Sequence, residues 1–249
     1  MVVPVRIELP VRIRFDECGA DGWMRSSAAL RYAQDLAWAH SESAGFDRRW
    51  YASRGLMWLV RCLGLEMRGT VTSGATVAVS TEVTGWRRVW ARRRSEIHRG
   101  DGDKALLAIV TTDWVLLGAS GAPVRIPADI LAAFQGRLPD FQPARVELPD
   151  PPGHARLGRL VVRRHELDPV GHTNHAVYAD WVEEAVAAAG GDGAVAAVPR
   201  TMALEFVRSA TAAMAVTSAT WPLPDGAWAC RLTDPSGAEL LRARVAAGG

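Results

Sequence analysis

Residues 165–185 read HELDPVGHTNHAVYADWVEEA, and what this stretch repeats decides the fold. Residues 17–38 read ECGADGWMRSSAALRYAQDLAW, and residues 166–187 read ELDPVGHTNHAVYADWVEEAVA. Glu17 faces Glu166, Gly22 faces Gly171 and Tyr32 faces Trp181, each at an offset of 149 (166−17, 171−22, 181−32). Later landmarks follow in the same order. LEM at 65–67 faces LEF at 204–206 at offset 139, and AVS at 78–80 faces AVT at 215–217 at offset 137. Leu106-Leu107 faces Leu240-Leu241 at offset 134. Matches in one order with a shrinking offset imply duplication followed by loop trimming.

Each copy reads the same way. A strand comes first, VRIRF or RLVVRR, then a glycine-containing turn, then a helix. In the second copy Val177, Tyr178, Trp181, Val182, Ala185, Val186 and Ala189 form one apolar stripe at helical period. Tyr32, Ala33, Leu36 and Ala37 make the equivalent stripe, with Ser26 or Ser27 as N-cap. Strands follow: TVAVSTEV, VWARRRSEIH and ALLAIVTTDWVLL in the first copy, AAMAVTSATW, GAWACRLT and ELLRARVAA in the second. One long helix and an antiparallel meander make an α+β unit whose helix buries its stripe on one sheet face. Small residues such as Ala185, Ala188 and Ala189 would let helix and sheet approach closely.

The join falls at 136–155, GRLPDFQPARVELPDPPGHA, which holds five of the 14 prolines. Prolines there continue neither a helix nor a central strand, so this is a linker. The expected division is a domain at 1–135, the linker at 136–155 and a domain at 156–249.

Composition excludes several classes. The chain has 249 residues, 49% hydrophobic and 22% charged, with a net charge of +2. That is an ordinary globular protein without the basic field that nucleic acid would call for. Cys18, Cys62 and Cys230 are odd in number and far apart, which argues against a disulfide framework and fits a reducing cytoplasm. They read as core thiols. The opening MVVPVRIELPVRIRF is strand-like rather than a secretory signal, and no apolar run is long enough for a membrane span. His165 and His172 lack supporting cysteines, so no metal is expected. His40 reads as a packed or hydrogen-bonded residue.

The chemistry is asymmetric. Asp168 faces Gly19, His172 faces Trp23 and Asn174 faces Arg25. The scaffold persists in both copies while the polar groups stand only in the second, which favours one working site per chain. A helix N-terminus offers backbone N–H groups and partial positive charge to a developing oxyanion. Asp168 can act as base or nucleophile, and His172 can titrate or donate to a carbonyl. Each residue also has a plain reading. Asp168-Pro169 before Gly171 is a turn pattern, His172 suits a solvated turn, and Asn174 is a natural N-cap.

LDPVGHTNHAVYADWVEEA resembles the D-x-x-G-H-x-N-x-x-x-Y-x-x-W-x-E signature of hotdog-fold thioesterases, and its Asp-Pro-x-Gly part is similar to 4-hydroxybenzoyl-CoA thioesterase. Over about residues 5–247 the chain resembles the acyl-acyl carrier protein (acyl-ACP) thioesterases of plants and bacteria. SSAALRYAQDLAWAHSESAGF, LMWLVRCLGLEM, TEVTGWRRVWARRRSEIH and TTDWVLL carry the first-copy likeness. The resemblance implies two tandem hotdog domains, each a long helix wrapped by an antiparallel sheet, forming a pseudo-dimer. It implies hydrolysis of fatty acyl-ACP to free acid and holo-ACP, with catalytic Asp168 and His172 and a contributing Asn174. Two positions depart from the plant pattern. Val170 replaces an Asn, and Ser209 and Ala210 replace a Glu-Cys pair, which leaves Ser209 as an accessory candidate.

Repeat 1 would then bind substrate, with Trp23, Met57 and Trp58 offering apolar volume for the acyl chain, or serving as plain core. RRVWARRR at 87–94 could attract an acidic carrier or CoA phosphates, though strand alternation divides its arginines between two faces. Expected partners are acyl carrier protein or a CoA thioester, with no cofactor, metal, nucleic acid or membrane span. The chain would be a cytoplasmic monomer, its own pseudo-dimer, or a homodimer. Rival readings are an acyl-CoA or aryl-CoA thioesterase, a hotdog hydratase or dehydratase, and a non-catalytic acyl-binding module.

Overall fold

A computed structural model describes residues 4–100, 102, 104–134 and 139–248. The chain divides into two units, one of residues up to 63 with 69–144, the other of 64–68 with 145–249. The first contains β1 (Arg6–Arg12), α1 (Ser26–Ser43), α2 (Arg48–Ser53), β2 (Met57–Met67, whose end belongs to the second unit), β3 (Thr76–Arg87), β4 (Trp90–Arg99), β5 (Leu106–Leu117) and α3 (Ala128–Ala133). Its strands run in the order β1-β3-β4-β5-β2. The second contains β6 (Arg156–Val161), α4 (His175–Ala188), α5 (Asp192–Ala196), β7 (Arg200–Phe206), β8 (Ala215–Pro222), β9 (Trp228–Thr233) and β10 (Glu239–Ala247), in the order β7-β10-β9-β8-β6. The registered pairings in both are antiparallel. Each unit is thus the expected α+β arrangement of one long helix with an antiparallel sheet. Among the described residues no helix is long and apolar enough to cross a membrane.

The helical stripes are where the spacing puts them. On α1, Ala29, Leu30, Ala33, Leu36, Ala37 and His40 are buried; on α4, Val177, Tyr178, Trp181, Val182 and Val186 are buried. Each buried Leu or Val contributes about 1.5–3 kcal/mol. The close-packed alanines of α4 are Ala176 and Ala179, both at 0% exposure, and Ala188 is exposed instead. The N-cap of α1 is Arg25, and its side chain makes no capping bond. Ser26 and Ser27 lie inside the first turn, fully buried. The strands that open each copy stop early, at Arg12 and Val161, and short 3₁₀ turns follow at Phe15–Glu17 and Arg164–Glu166.

Strand registers correct two of the offsets. Val11 pairs with Val77 and Leu160 pairs with Val216, so an offset of 149 on one strand (160−11) meets 139 on the next (216−77). AVS and AVT therefore slip by two residues against the expected 137. A slide of two keeps every side chain on its own face, so residue pattern alone does not detect it. Gly69 N–H donates to the Leu107 carbonyl and Arg208 N–H to that of Leu240, giving 133 (240−107) rather than 134. The paired leucines hide that one-residue slip.

Of the proline-rich stretch, 136–138 lie outside the described residues. Residues 139–155 hold neither helix nor strand, yet buried carboxylates fix their backbone. In the first unit Asp113 accepts from Ala144 N–H at 2.7 Å and from both ends of the Arg92 fork at 2.6 and 2.7 Å. In the second, Glu205 accepts from Val146 N–H at 3.0 Å and from Arg145 at 3.1 Å.

Candidate active site

The turn that carries Asp168 is closed by its own backbone. Asp168 N–H donates to the His172 carbonyl at 2.8 Å, Gly171 N–H donates to the Asp168 carbonyl at 2.9 Å, and Leu167 and Thr173 bridge just outside them. Gly171 has φ +85°, a conformation that glycine adopts without strain. Asp168 Oδ1 accepts from Val170 N–H at 2.8 Å and from His172 N–H at 3.3 Å. The turn reading of Asp168 is therefore correct as far as it goes. Both bonds land on one oxygen, which leaves the carboxylate's second oxygen for another task. Among the described residues the His172 imidazole makes no hydrogen bond, and Asp168 and His172 are both half-buried.

Asn174 caps α4, its Oδ1 accepting from Ala176 N–H at 2.9 Å, as the plain reading of this residue holds. Asn174 N–H donates to the Glu166 carbonyl and Val177 N–H to the Asn174 carbonyl, both at 2.9 Å. Three N–H groups of this helix start, those of Asn174, Ala176 and Val177, are engaged within the protein.

A second segment is fastened to this turn. The Ala210 carbonyl accepts from Thr173 N–H at 2.9 Å and Thr173 Oγ1 at 3.1 Å, while Ala210 N–H donates to the Tyr178 hydroxyl at 2.9 Å. Burial raises the Tyr178 pKa, with the Asp168 charge a lesser contribution in the same direction. The clasp brings the strand exit after β7 against the turn, and Ser209 is the residue before it. The Ser209 hydroxyl makes no hydrogen bond to Asp168 or His172 among the described residues. Thr173 and Tyr178 were missed as site residues in the sequence reading. Thr173 occupies an unspecified motif position, and Tyr178 looks like one more apolar member of the helix stripe.

The first unit builds the same turn. Gly19 N–H donates to the Trp23 carbonyl at 2.8 Å, Gly22 N–H to the Gly19 carbonyl at 3.0 Å, Arg25 N–H to the Glu17 carbonyl at 3.0 Å and Met24 N–H to the Val71 carbonyl at 2.9 Å. Gly22 has φ +81°. Glu17 binds the Tyr32 hydroxyl, where Glu166 accepts from Trp181 Nε1 at 3.1 Å. Here Asp21 Oδ1, in the place of Val170, ties the turn by accepting from Trp23 N–H at 2.9 Å. Two scaffolds agree bond for bond, and only the second has Asp168, His172 and Asn174 in place.

The residues expected to hold substrate stand on different elements. Trp23 is 42% exposed on its turn. Trp58 packs against the aromatic cluster of Phe46, Tyr51 and Phe134, its Nε1 donating to the Tyr51 hydroxyl at 3.0 Å, and Met57 beside it is half-buried. The arginine run divides as alternation requires: Arg92 pairs with Asp113 and Arg94 with Glu96, while Arg93 turns to the other face and meets His40. Among the described residues no group of three His, Cys, Asp or Glu could hold a metal. Cys18, Cys62 and Cys230 are buried free thiols.

Residues 8–134 match the family model of the acyl-ACP thioesterase N-terminal domain. No curated protein matches the chain at the level of sequence. Three solved structures share the fold along nearly the whole chain. A Lactobacillus plantarum protein assigned as an oleoyl thioesterase superposes with TM-score 0.84 at 17% identity, over 98% of this chain and 97% of its own. The 12:0-ACP thioesterase of Umbellularia californica gives 0.80 at 23% identity, over 98% and 97%. An acyl-ACP thioesterase of Bacteroides thetaiotaomicron gives 0.79 at 11% identity, over 97% of each chain. The fold they share with this chain is the hotdog fold of those enzymes.

Proposed function

The chain belongs to the acyl-ACP thioesterase family, a family of thioester hydrolases, and from that premise we propose that it frees a fatty acid from acyl-ACP at the turn that opens α4. One observation carries the assignment of the site. The turn is the same in both units down to its backbone hydrogen bonds; the first ties it with the Asp21 carboxylate, and the combination of Asp168, His172 and Asn174 stands only in the second. Asp21 shows that one carboxylate is enough to shape the turn, whereas the His172 imidazole, which makes no hydrogen bond among the described residues, adds nothing to that shape.

The chemistry follows from which atoms are engaged. Asp168 Oδ1 holds the turn, and Oδ2 takes the proton of a water molecule as that water's oxygen adds to the thioester carbonyl carbon. His172 donates to the carbonyl oxygen as it gains negative charge, with Asn174 contributing by fixing the helix start beside it. The C–S bond then breaks. The thiolate of the carrier's prosthetic arm leaves and recovers the proton, and the fatty acid is released. A direct attack of Oδ2 on the carbonyl carbon, giving a mixed anhydride that water opens, uses the same residues. In this reading the first domain, 1–135, receives the acyl chain beside Met57 and Trp58, with Trp23 at its turn. The linker at 136–155 joins it to the catalytic domain at 156–249.

The test is free-thiol release by wild-type protein from acyl-ACP and acyl-CoA thioesters of matched chain length. Faster release from acyl-ACP supports the reading. Release from CoA esters alone assigns the protein to CoA substrates, and release from neither refutes the proposal.

A further inference from the structure

Among the described residues of the first unit one interior cation, Arg93, has no acidic partner. Along β4, Ala91, Ser95 and Ile97 are buried, and Arg93 shares their face of the sheet. Its cross-strand neighbours are Val83 on β3 and Thr112 on β5. From α1, His40 meets it, Arg93 donating from Nη1 to His40 Nδ1 at 3.1 Å. From α2, Tyr51 is near enough to act on it electrostatically. The Phe134 ring lies 5.5 Å from the guanidinium carbon. None of these groups is a carboxylate. Among the described residues Arg93 makes no ion pair, whereas Arg92 and Arg94 on the opposite face each have one.

His40 does not supply the missing charge. It is fully buried, accepts at Nδ1 and therefore donates at Nε2, to the Pro4 carbonyl at 2.8 Å. Burial, with Arg93 as a second cause, holds its pKa down at about 4, so it is neutral at neutral pH. Burial also lowers Arg93, to about 10, which leaves it cationic. Arg93 is nevertheless only half-buried by exposed surface. A guanidinium has five N–H donors, and one is directed at His40. An interior charge without a counter-charge is destabilising, so an acceptor that arrives with a ligand accounts for its presence.

We propose that Arg93 receives an acceptor oxygen borne by the acyl chain away from its thioester, so that the substrates of this protein include oxygenated acyl groups. This rests on the thioesterase reading above, and on the first unit as the place of the acyl chain. The chemistry is shared by a distal carboxylate, which the fork binds in two-pronged fashion, and by a keto or hydroxyl oxygen.

The test uses acyl-ACP esters built on the plain saturated chain that the enzyme turns over fastest, with ω-carboxy, ω-hydroxy and mid-chain keto counterparts of the same length. A charge-assisted hydrogen bond predicts kcat/KM at least about tenfold higher for one oxygenated chain than for the plain chain in wild type. Arg93→Met is expected to erase that ratio. The arm that responds distinguishes carboxylate from keto or hydroxyl. Calorimetric titration of wild type with the matching free acids reads binding without turnover and without a variant. Plain chains preferred in both measurements would overturn the inference and leave the thioesterase reading standing. Tighter binding of an oxygenated acid, with no thiol released from any ester, would support the Arg93 site and refute the proposed activity.

Discussion

Replacing Tyr178 with Phe removes one oxygen and tests whether the clasp holds the candidate site together. The hydroxyl accepts from Ala210 N–H at 2.9 Å, and Tyr178 and Ala210 are 1% and 0% exposed. In Tyr178→Phe that N–H loses its partner where water does not reach. The Ala210 carbonyl keeps both bonds from Thr173, so the loss falls on the Ala210 N–H and on the hydrogen bond between the Tyr178 and Thr173 hydroxyls. An unsatisfied buried N–H costs roughly 1–3 kcal/mol. For a chain of this size that lowers the midpoint of thermal unfolding by roughly 2–12 °C. Thr173→Val removes the 3.1 Å hydroxyl bond and the hydroxyl's contact with Tyr178, while the Thr173 N–H still reaches the Ala210 carbonyl and the Ala210 N–H keeps its partner. It should cost less, about 0.5–1.5 kcal/mol. Denaturant unfolding followed by circular dichroism measures both. The reasoning also predicts a lower kcat in Tyr178→Phe, because the Ser209–Ala210 segment is then held to the Asp168–His172 turn by Thr173 alone. A Tyr178→Phe protein within about 0.5 kcal/mol of wild type would refute it, since that is the range of a substitution away from any special feature.

Two further predictions concern charges inside the units. His40 has a folded pKa of about 4 against an ordinary 6.5, so as pH falls the unfolded chain takes the proton first. Its contribution is complete above pH 6.5 and is lost between 6.5 and about 4, a span worth up to about 3 kcal/mol. Unfolding midpoints across that window should fall steeply in wild type and less steeply in His40→Gln; parallel slopes would exclude His40 as the cause. Glu205 is 1% exposed and accepts from Val146 N–H and from the largely exposed Arg145, so Glu205→Ala strands a buried N–H and should cost about 1–3 kcal/mol in denaturant unfolding. A loss below about 1 kcal/mol would mean that the 145–146 backbone is held by something else.

The long elements were legible because their signals are periodic. The stripe from Val177 to Val186 and the runs of β3, β4, β5 and β10 each repeat over several turns or pleats. Three short helices, α2, α3 and α5, went unread because five or six residues span less than two turns and show no period. The slip of two between AVS and AVT escaped because strands have a period of two. Ser26 and Ser27 mislead as caps because burial, not capping, accounts for them. At the site, Asp168, His172 and Asn174 were visible as polar groups absent from the first copy. Their division of labour was not visible, since it depends on which oxygen of Asp168 the turn occupies. The Thr173–Ala210–Tyr178 clasp joins residues 37 and 32 positions apart, beyond the reach of any local pattern. Arg93 was legible only as one of five arginines. Its solitude depends on what the other strands and helices place around it.

The central claim is that the Asp168 carboxylate drives hydrolysis while its Oδ1 holds the turn. Asp168→Asn separates the two roles, because the amide oxygen can still accept from Val170 and His172 N–H while the charge is gone. Thiol release from acyl-ACP should be measured for wild type and Asp168→Asn, beside the unfolding midpoint of each. The account predicts a fall in kcat of roughly 10²–10⁴-fold with an unchanged midpoint. An Asp168→Asn protein that folds as wild type does and releases thiol at an undiminished rate would contradict it.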